Sequence, residues 1–123
     1  MDEALATYRQ ALAVDEKALG PKHPHLIEPL KGIARVELDR HAAERARPPL
    51  ERALTLAEAQ PDPAELAEVR FLLAQALWGV GEPKRALALA AQAREGFAKG
   101  GAPVRRNLDE VVAWLSAPAR RGR

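Results

Sequence analysis

The stretch ERARPPLERAL at residues 44–54 has a counterpart on either side of it: DEALATYRQAL at 2–12 and KRALALAAQAR at 84–94. Ala4, Ala46 and Ala86 hold the same place in the three, 42 and then 40 residues apart. Ala11, Ala53 and Ala93 repeat the same two steps. A fixed period of this size means stacked supersecondary units rather than a single closed core. Such units bury apolar faces against their neighbours and leave an extended surface for partners. The first expectation is therefore a binding scaffold, not an enzyme.

Composition supports helices. The chain has 123 residues, which suits one domain. Its hydrophobic fraction of 47% is mostly Ala and Leu, with only two Phe, two Trp and one Tyr. Ala and Leu favour helix, whereas strands draw on β-branched and aromatic residues. The formal charge of +2 puts no strong field over the whole chain. There is no cysteine, which excludes disulfides and thiolate metal sites. No apolar run approaches the length of a membrane span, and Met1-Asp2-Glu3 lacks the pattern of a signal peptide. The default expectation is a cytoplasmic protein.

Periodicity and punctuation predict six helices. The first covers 2–19 and ends at Gly20-Pro21, since Gly suits a left-handed cap and Pro cannot continue a helix. The second runs from Pro24 to Arg40 with a stripe of Leu26, Ile27, Leu30, Ile33, Ala34 and Leu38. The third covers 43–59, and Pro48-Pro49 should kink or delay it. Asp62, Pro63 and Glu65 form the start of a fourth helix at 63–79, as N-cap, N1 and a capping-box partner at N3. A fifth covers 83–98. The last lies within 103–117, before a basic tail at 118–123 that is expected to be frayed. Short loops make sequential helices antiparallel neighbours. Ala34, Ala46 and Ala53, and again Ala74, Ala86 and Ala93, are small residues that let paired helices approach closely.

These residues resemble tetratricopeptide repeats, in which helix A is followed by helix B. Ala34 and Ala74 match the small residue of helix A, and Ala46/Ala86 and Ala53/Ala93 match the two of helix B. Gly81 matches the turn glycine, which His41 replaces one repeat earlier, while Glu37 stands where a large apolar residue is usual and weakens its unit. The stretch 17–24, KALGPKHP, followed by Leu30 and Ala34, is similar to the longer kinesin-light-chain type of repeat. HEAT repeats share the period but account less well for the small residues. The resemblance implies an all-α solenoid in a single domain, 1–117. It would hold an orphan helix B at 2–19, repeats at 24–59 and 63–99, and a capping helix at 103–117. A half repeat at the start reads as the C-terminal array of a larger protein, with a bacterial signalling protein as the analogy.

In that register the inner groove is lined by Lys31, Arg35 and Leu38 of one repeat and Phe71, Gln75 and Trp78 of the next. Two cations beside aromatics point to an acidic peptide or partner domain, with Glu28, Asp39 and Glu68 limiting that preference. Two readings of Phe71 and Trp78 stay open: the last helix covers them, or they form the wall of a peptide groove. Leu5, Tyr8 and Leu12 on the orphan helix read as an exposed patch for self-association. Catalytic residues, cofactors and metals are not expected. His23 and His25 flank Pro24 and read as loop caps, and His41 is too far along the chain to complete a metal site with them. The single serine, Ser116, is in no nucleophile motif, and no Lys-Ser/Thr follows Gly100-Gly101 to make a phosphate loop. Arg105, Arg106, Arg120, Arg121 and Arg123 read as a solvated end rather than a nucleic-acid stripe.

Overall fold

The computed structural model describes residues 2–100 and 105–116. Among them every regular element is helical: α1 (Asp2–Leu19), α2 (Ile27–Asp39), α3 (Ala43–Glu58), α4 (Pro63–Gly79), α5 (Pro83–Gly100) and α6 (Arg105–Ser116). A 3-10 turn, Pro24–Leu26, leads into α2. Each helix packs on the next along the chain, and α2 also meets α4. The result is a tetratricopeptide-like solenoid of antiparallel pairs, with α2–α3 and α4–α5 as the two complete units.

Local chemistry sets most of the helix boundaries. Gly20 takes φ +92° after α1, and its N–H reaches the Glu16 carbonyl. His23 Nδ1 accepts the His25 backbone N–H at 3.1 Å, the capping role expected of that loop. The start of α2 comes three residues later than expected, at Ile27, so Pro29 falls in its first turn. A missing N–H there removes no intrahelical bond. Pro48 and Pro49 lie inside α3, which still begins at Ala43, so they do not delay it. Asp62 caps α4 by accepting the Glu65 N–H at 3.1 Å. The reciprocal half of the expected capping box is absent, because the Glu65 carboxylate turns to Lys31 instead. His41 adopts φ 58° and Gly81 φ 86°, so both interhelix turns use the left-handed region although only one holds a glycine. The expected boundaries at 103 and 117, and the tail 118–123, lie outside the described residues.

The core follows the small residues. Ala34, Ala46, Ala53, Ala74, Ala86 and Ala93 are all fully buried. Two glycines extend the same contact. A Cβ on Gly96 would sit 2.9 Å from Ala67 Cβ, and one on Gly79 would sit 2.5 Å from Ala43 Cβ. Around these seams pack Leu26, Leu50, Val69, Leu73, Leu77 and Val111. The α1–α2 contact has a smaller cluster of its own, with Leu5 on Ile33 and Val36 and with Leu12 beside it.

Glu37 is the exception in this core. It is 1% exposed in the place that Leu77 fills one repeat later. One carboxylate oxygen lies 3.7 Å from the Arg9 guanidinium. The other has no hydrogen-bond partner among the described residues. A buried acceptor left unmatched costs stability in the first repeat, as does the unmatched Arg70 Nε of α4 in the second.

The close seams set a stability expectation. Ala53→Leu or Ala93→Leu should each cost about 1–3 kcal/mol, because added methylenes must push the paired helices apart. Ala88→Leu, on the exposed side of α5, should change stability by less than about 0.5 kcal/mol. Urea melts of the three variants check this, and equal midpoints would contradict it.

Candidate functional site

One side of the solenoid is formed by α2 and α4, with α1 and α6 at its two ends. Three cavities follow one another along it. The first, about 230 Å³, opens between α1 and α2 and is lined by Tyr8, Ala11, Glu28, Pro29, Gly32 and Arg35. The second, about 260 Å³, lies across α2 and the start of α4, with Glu28, Lys31, Asp62, Glu65 and Glu68 on its walls. The third, about 120 Å³, runs below α6 and is bounded by Arg35, Glu68, Phe71, Gln75 and Glu110. Glu28 belongs to the first two, and Arg35 to the first and third, so the three form one trough.

Lys31 lies at the centre of the trough, buried to 3% exposure. Its ammonium meets Glu65 at 2.6 Å, Glu68 at 2.7 Å and Glu28 at 2.9 Å. A lysine ammonium has three N–H donors, and all three are engaged. Burial pulls the Lys31 pKa down, but the hydrogen bonds to Glu65, Glu68 and Glu28 outweigh it and hold it above the ordinary lysine value. Glu28 is held below the usual carboxylate range, first by its hydrogen bond from Lys31. Arg35 stands one turn on, about half exposed, and pairs with Glu68.

The structure therefore separates residues that looked equivalent in the sequence. Arg35 is on the trough wall as expected. Lys31 is also there, but it is buried and committed to three carboxylates, so it has no donor left for a ligand. The expected cationic character of the groove is overturned, since the acidic side chains of α4 take up both cations. For the same reason Lys31→Glu would gather four carboxylates in one place and would report on folding rather than on binding. Leu38 is half-buried against the main core.

Phe71 and Trp78 meet Trp114 of α6 edge to face, with ring centroids 5.8 and 6.0 Å apart. The last helix therefore packs on both rings and leaves them half-buried, and Phe71 still lines two cavities beside α6. Gln75 stays on the remaining cavity walls beside Glu110. On α1, Leu5 is buried against Ile33 and Val36 rather than exposed, and Leu12 is half-buried. Tyr8 keeps 38% exposure, and its ring lies over Gly32, where an added Cβ would fall 2.4 Å from it.

The sequence reading places Glu68 beside the groove and Glu65 in a capping box but misses their pairing with Lys31, as it misses Trp114 and Gly32. Glu65 and Glu68 stand 34 and 37 residues after Lys31, about one repeat on, and that offset was the available signal. Trp114 lies next to the apolar stripe of the last helix. Gly32 carried no signal, because a glycine in a helix does not announce the ring above it. The opposite layer has a related network: Glu51 takes a bidentate pair from Arg85 at 2.6 and 2.8 Å, and Arg47 reaches Glu82 at 2.5 Å. The Arg85 hydrogen bond is the main cause that keeps Glu51 below the usual range.

The helix pairs, small-residue seams and inner trough define a helical-repeat protein. The tetratricopeptide repeat family model matches residues 1–59. The matched part, α1 to α3, is a tetratricopeptide repeat segment, and α4 and α5 continue the same pairing. Repeats of this family are generally protein–protein interaction modules. No match was found among curated proteins or among solved structures. No helix of the described residues is long and apolar enough to cross a membrane, and no group of three or more His, Cys, Asp or Glu among them could hold a metal ion.

The ion pairs set the pH behaviour. Glu28 and Glu51 have folded pKa values below their unfolded ones, so their stabilising contribution is present above about pH 4.3 and is lost as pH falls through the lower folded values. Lys31 is shifted up, so its contribution is complete below about pH 10.4 and is lost as pH rises through its folded value. Thermal melting should be level between these limits and fall on both sides. A melting temperature unchanged from about pH 5 to about pH 3 would contradict this.

Proposed function

We propose that the chain is a non-catalytic interaction module that takes a segment of a partner protein into the α1–α2 end of its trough. The supporting observation is the contrast between the two ends. Phe71 and Trp78 are half-buried against Trp114, and the cavity of about 270 Å³ left beside them is bounded by Glu110 and Gln75, whereas the cavity over Tyr8, Ala11, Pro29 and Gly32 is mostly apolar. Apolar floor with a polar rim is the usual make-up of a peptide-binding surface. Arg35 on the rim keeps guanidinium donors beyond those given to Glu68 and fixes polar groups of the bound segment. Lys31 and Leu38 support the trough from beneath, and Phe71, Gln75 and Trp78 belong to its α4–α6 end.

The test is selection of random twelve-residue peptides on the whole chain, followed by affinity measurement with the Ala11→Gln variant. Ala11 is exposed and Gln is a good helix former, so the fold should persist while the cavity is partly filled. Selected peptides should bind the variant at least about tenfold more weakly, a change of about 1.4 kcal/mol. Peptides indifferent to this substitution would remove the groove from consideration.

A second reading has its own observation. Tyr8, Val14 and Leu19 of α1 are all exposed large apolar residues. Tyr8 and Leu19 share one face of α1, and a second copy of the chain would cover that face. Sedimentation at rising concentration separates the readings, since a strict monomer contradicts self-association through α1.

A further inference from the structure

The geometry points to a partner segment that is basic: an apolar side chain in the cavity over Tyr8 and Ala11, followed by Lys or Arg along the carboxylates of α2 and α4. This rests on the groove reading above and adds the chemistry of its occupant.

Charge complementarity carries the inference. The charged residues lining the three cavities are Glu28, Asp62, Glu65, Glu68 and Glu110 against Lys31 and Arg35. Five carboxylates face two cations, a formal balance of −3, in a chain whose own net charge is +2. The trough is therefore opposite in sign to the rest of the molecule.

The hydrogen-bond inventory sharpens the point. Lys31 is buried with its three donors spent on Glu28, Glu65 and Glu68. An incoming carboxylate would find a charged donor only on Arg35, the other side-chain donors on these walls being the neutral Tyr8, Gln75 and Asn107. The carboxylates have capacity to spare, since each has about four lone-pair sites. The Glu28 side chain is 68% exposed and still faces water beside Lys31. Asp62 gives one oxygen to the Glu65 N–H and keeps the other. On α1, Asp15 follows one turn after Ala11 and adds a further acid along the same stripe. A guanidinium or ammonium would meet acceptors along the whole route from cavity one to cavity two, which share Glu28.

The peptides selected on the whole chain test this. Those weakened by Ala11→Gln, an uncharged substitution, should carry a net positive charge. Their affinity should fall about tenfold in Glu28→Gln/Asp62→Asn, which removes two exposed charges while keeping the hydrogen bond to Lys31 and the helix cap. Binding to the unaltered chain should also weaken as salt rises from about 0.05 to about 0.5 M, a readout that needs no variant. Acidic or uncharged peptides that are still sensitive to Ala11→Gln would overturn the charge assignment and leave the groove reading standing. Salt-insensitive binding would do the same. Absence of enrichment, or binding indifferent to Ala11→Gln, would overturn both.

Discussion

Side chains of one carbon, or none, set the distance between helices in this protein. Ala34, Ala46 and Ala53 in one repeat and Ala74, Ala86 and Ala93 in the next are buried without remainder, and Gly96 and Gly79 rest on Ala67 and Ala43. Helices that meet this closely leave no room for bulk in the seam, so Leu, Val and Phe fill the spaces between pairs. The same closeness brings long polar side chains within reach across repeats. Lys31 spans from α2 to α4, and Arg85 spans from α5 to α3, as consequences of that spacing. On the trough side α2 and α4 are bridged by the ion pairs of Lys31 and Arg35 with Glu65 and Glu68, which line its floor and wall.

Much of the fold was legible because it rests on local rules. Gly20, Asp62 and Pro63 mark helix ends by their own backbone chemistry, and the alanine spacing repeats on a fixed period. The site was less legible because its character depends on which long side chains meet. Lys31 sits at a helix position that lines the groove, and periodicity alone makes it a ligand-facing cation. Only the placement of Glu65 and Glu68, one repeat on, turns it into a buried counter-charge. Glu65 shows the same difficulty in another form. Its position three residues after Asp62 fits a capping box, yet a lysine ammonium 2.6 Å away is the better partner for its carboxylate. Leu5 looked exposed because the orphan helix lacks one neighbour, but α2 covers that part of it. Trp114 settles the fate of Phe71 and Trp78, and a single helix stripe does not say which rings on another helix it will meet.

The inner side is thus divided. Its α4–α6 end is narrowed by three aromatic rings in contact, and its α1–α2 end is apolar at the floor and acidic along the side. A tetratricopeptide repeat array commonly offers such an inner surface to partners, and here the last helix narrows what can be offered. Hydrogen exchange of the whole chain, with and without a selected peptide, tests this division most directly. Added protection is expected in the part of α1 around Tyr8 to Asp15 and in the part of α2 around Glu28 to Arg35, with α6 unchanged. Protection centred instead on Phe71, Trp78 and Trp114 would contradict it, because the partner would then have displaced the helix that narrows that end.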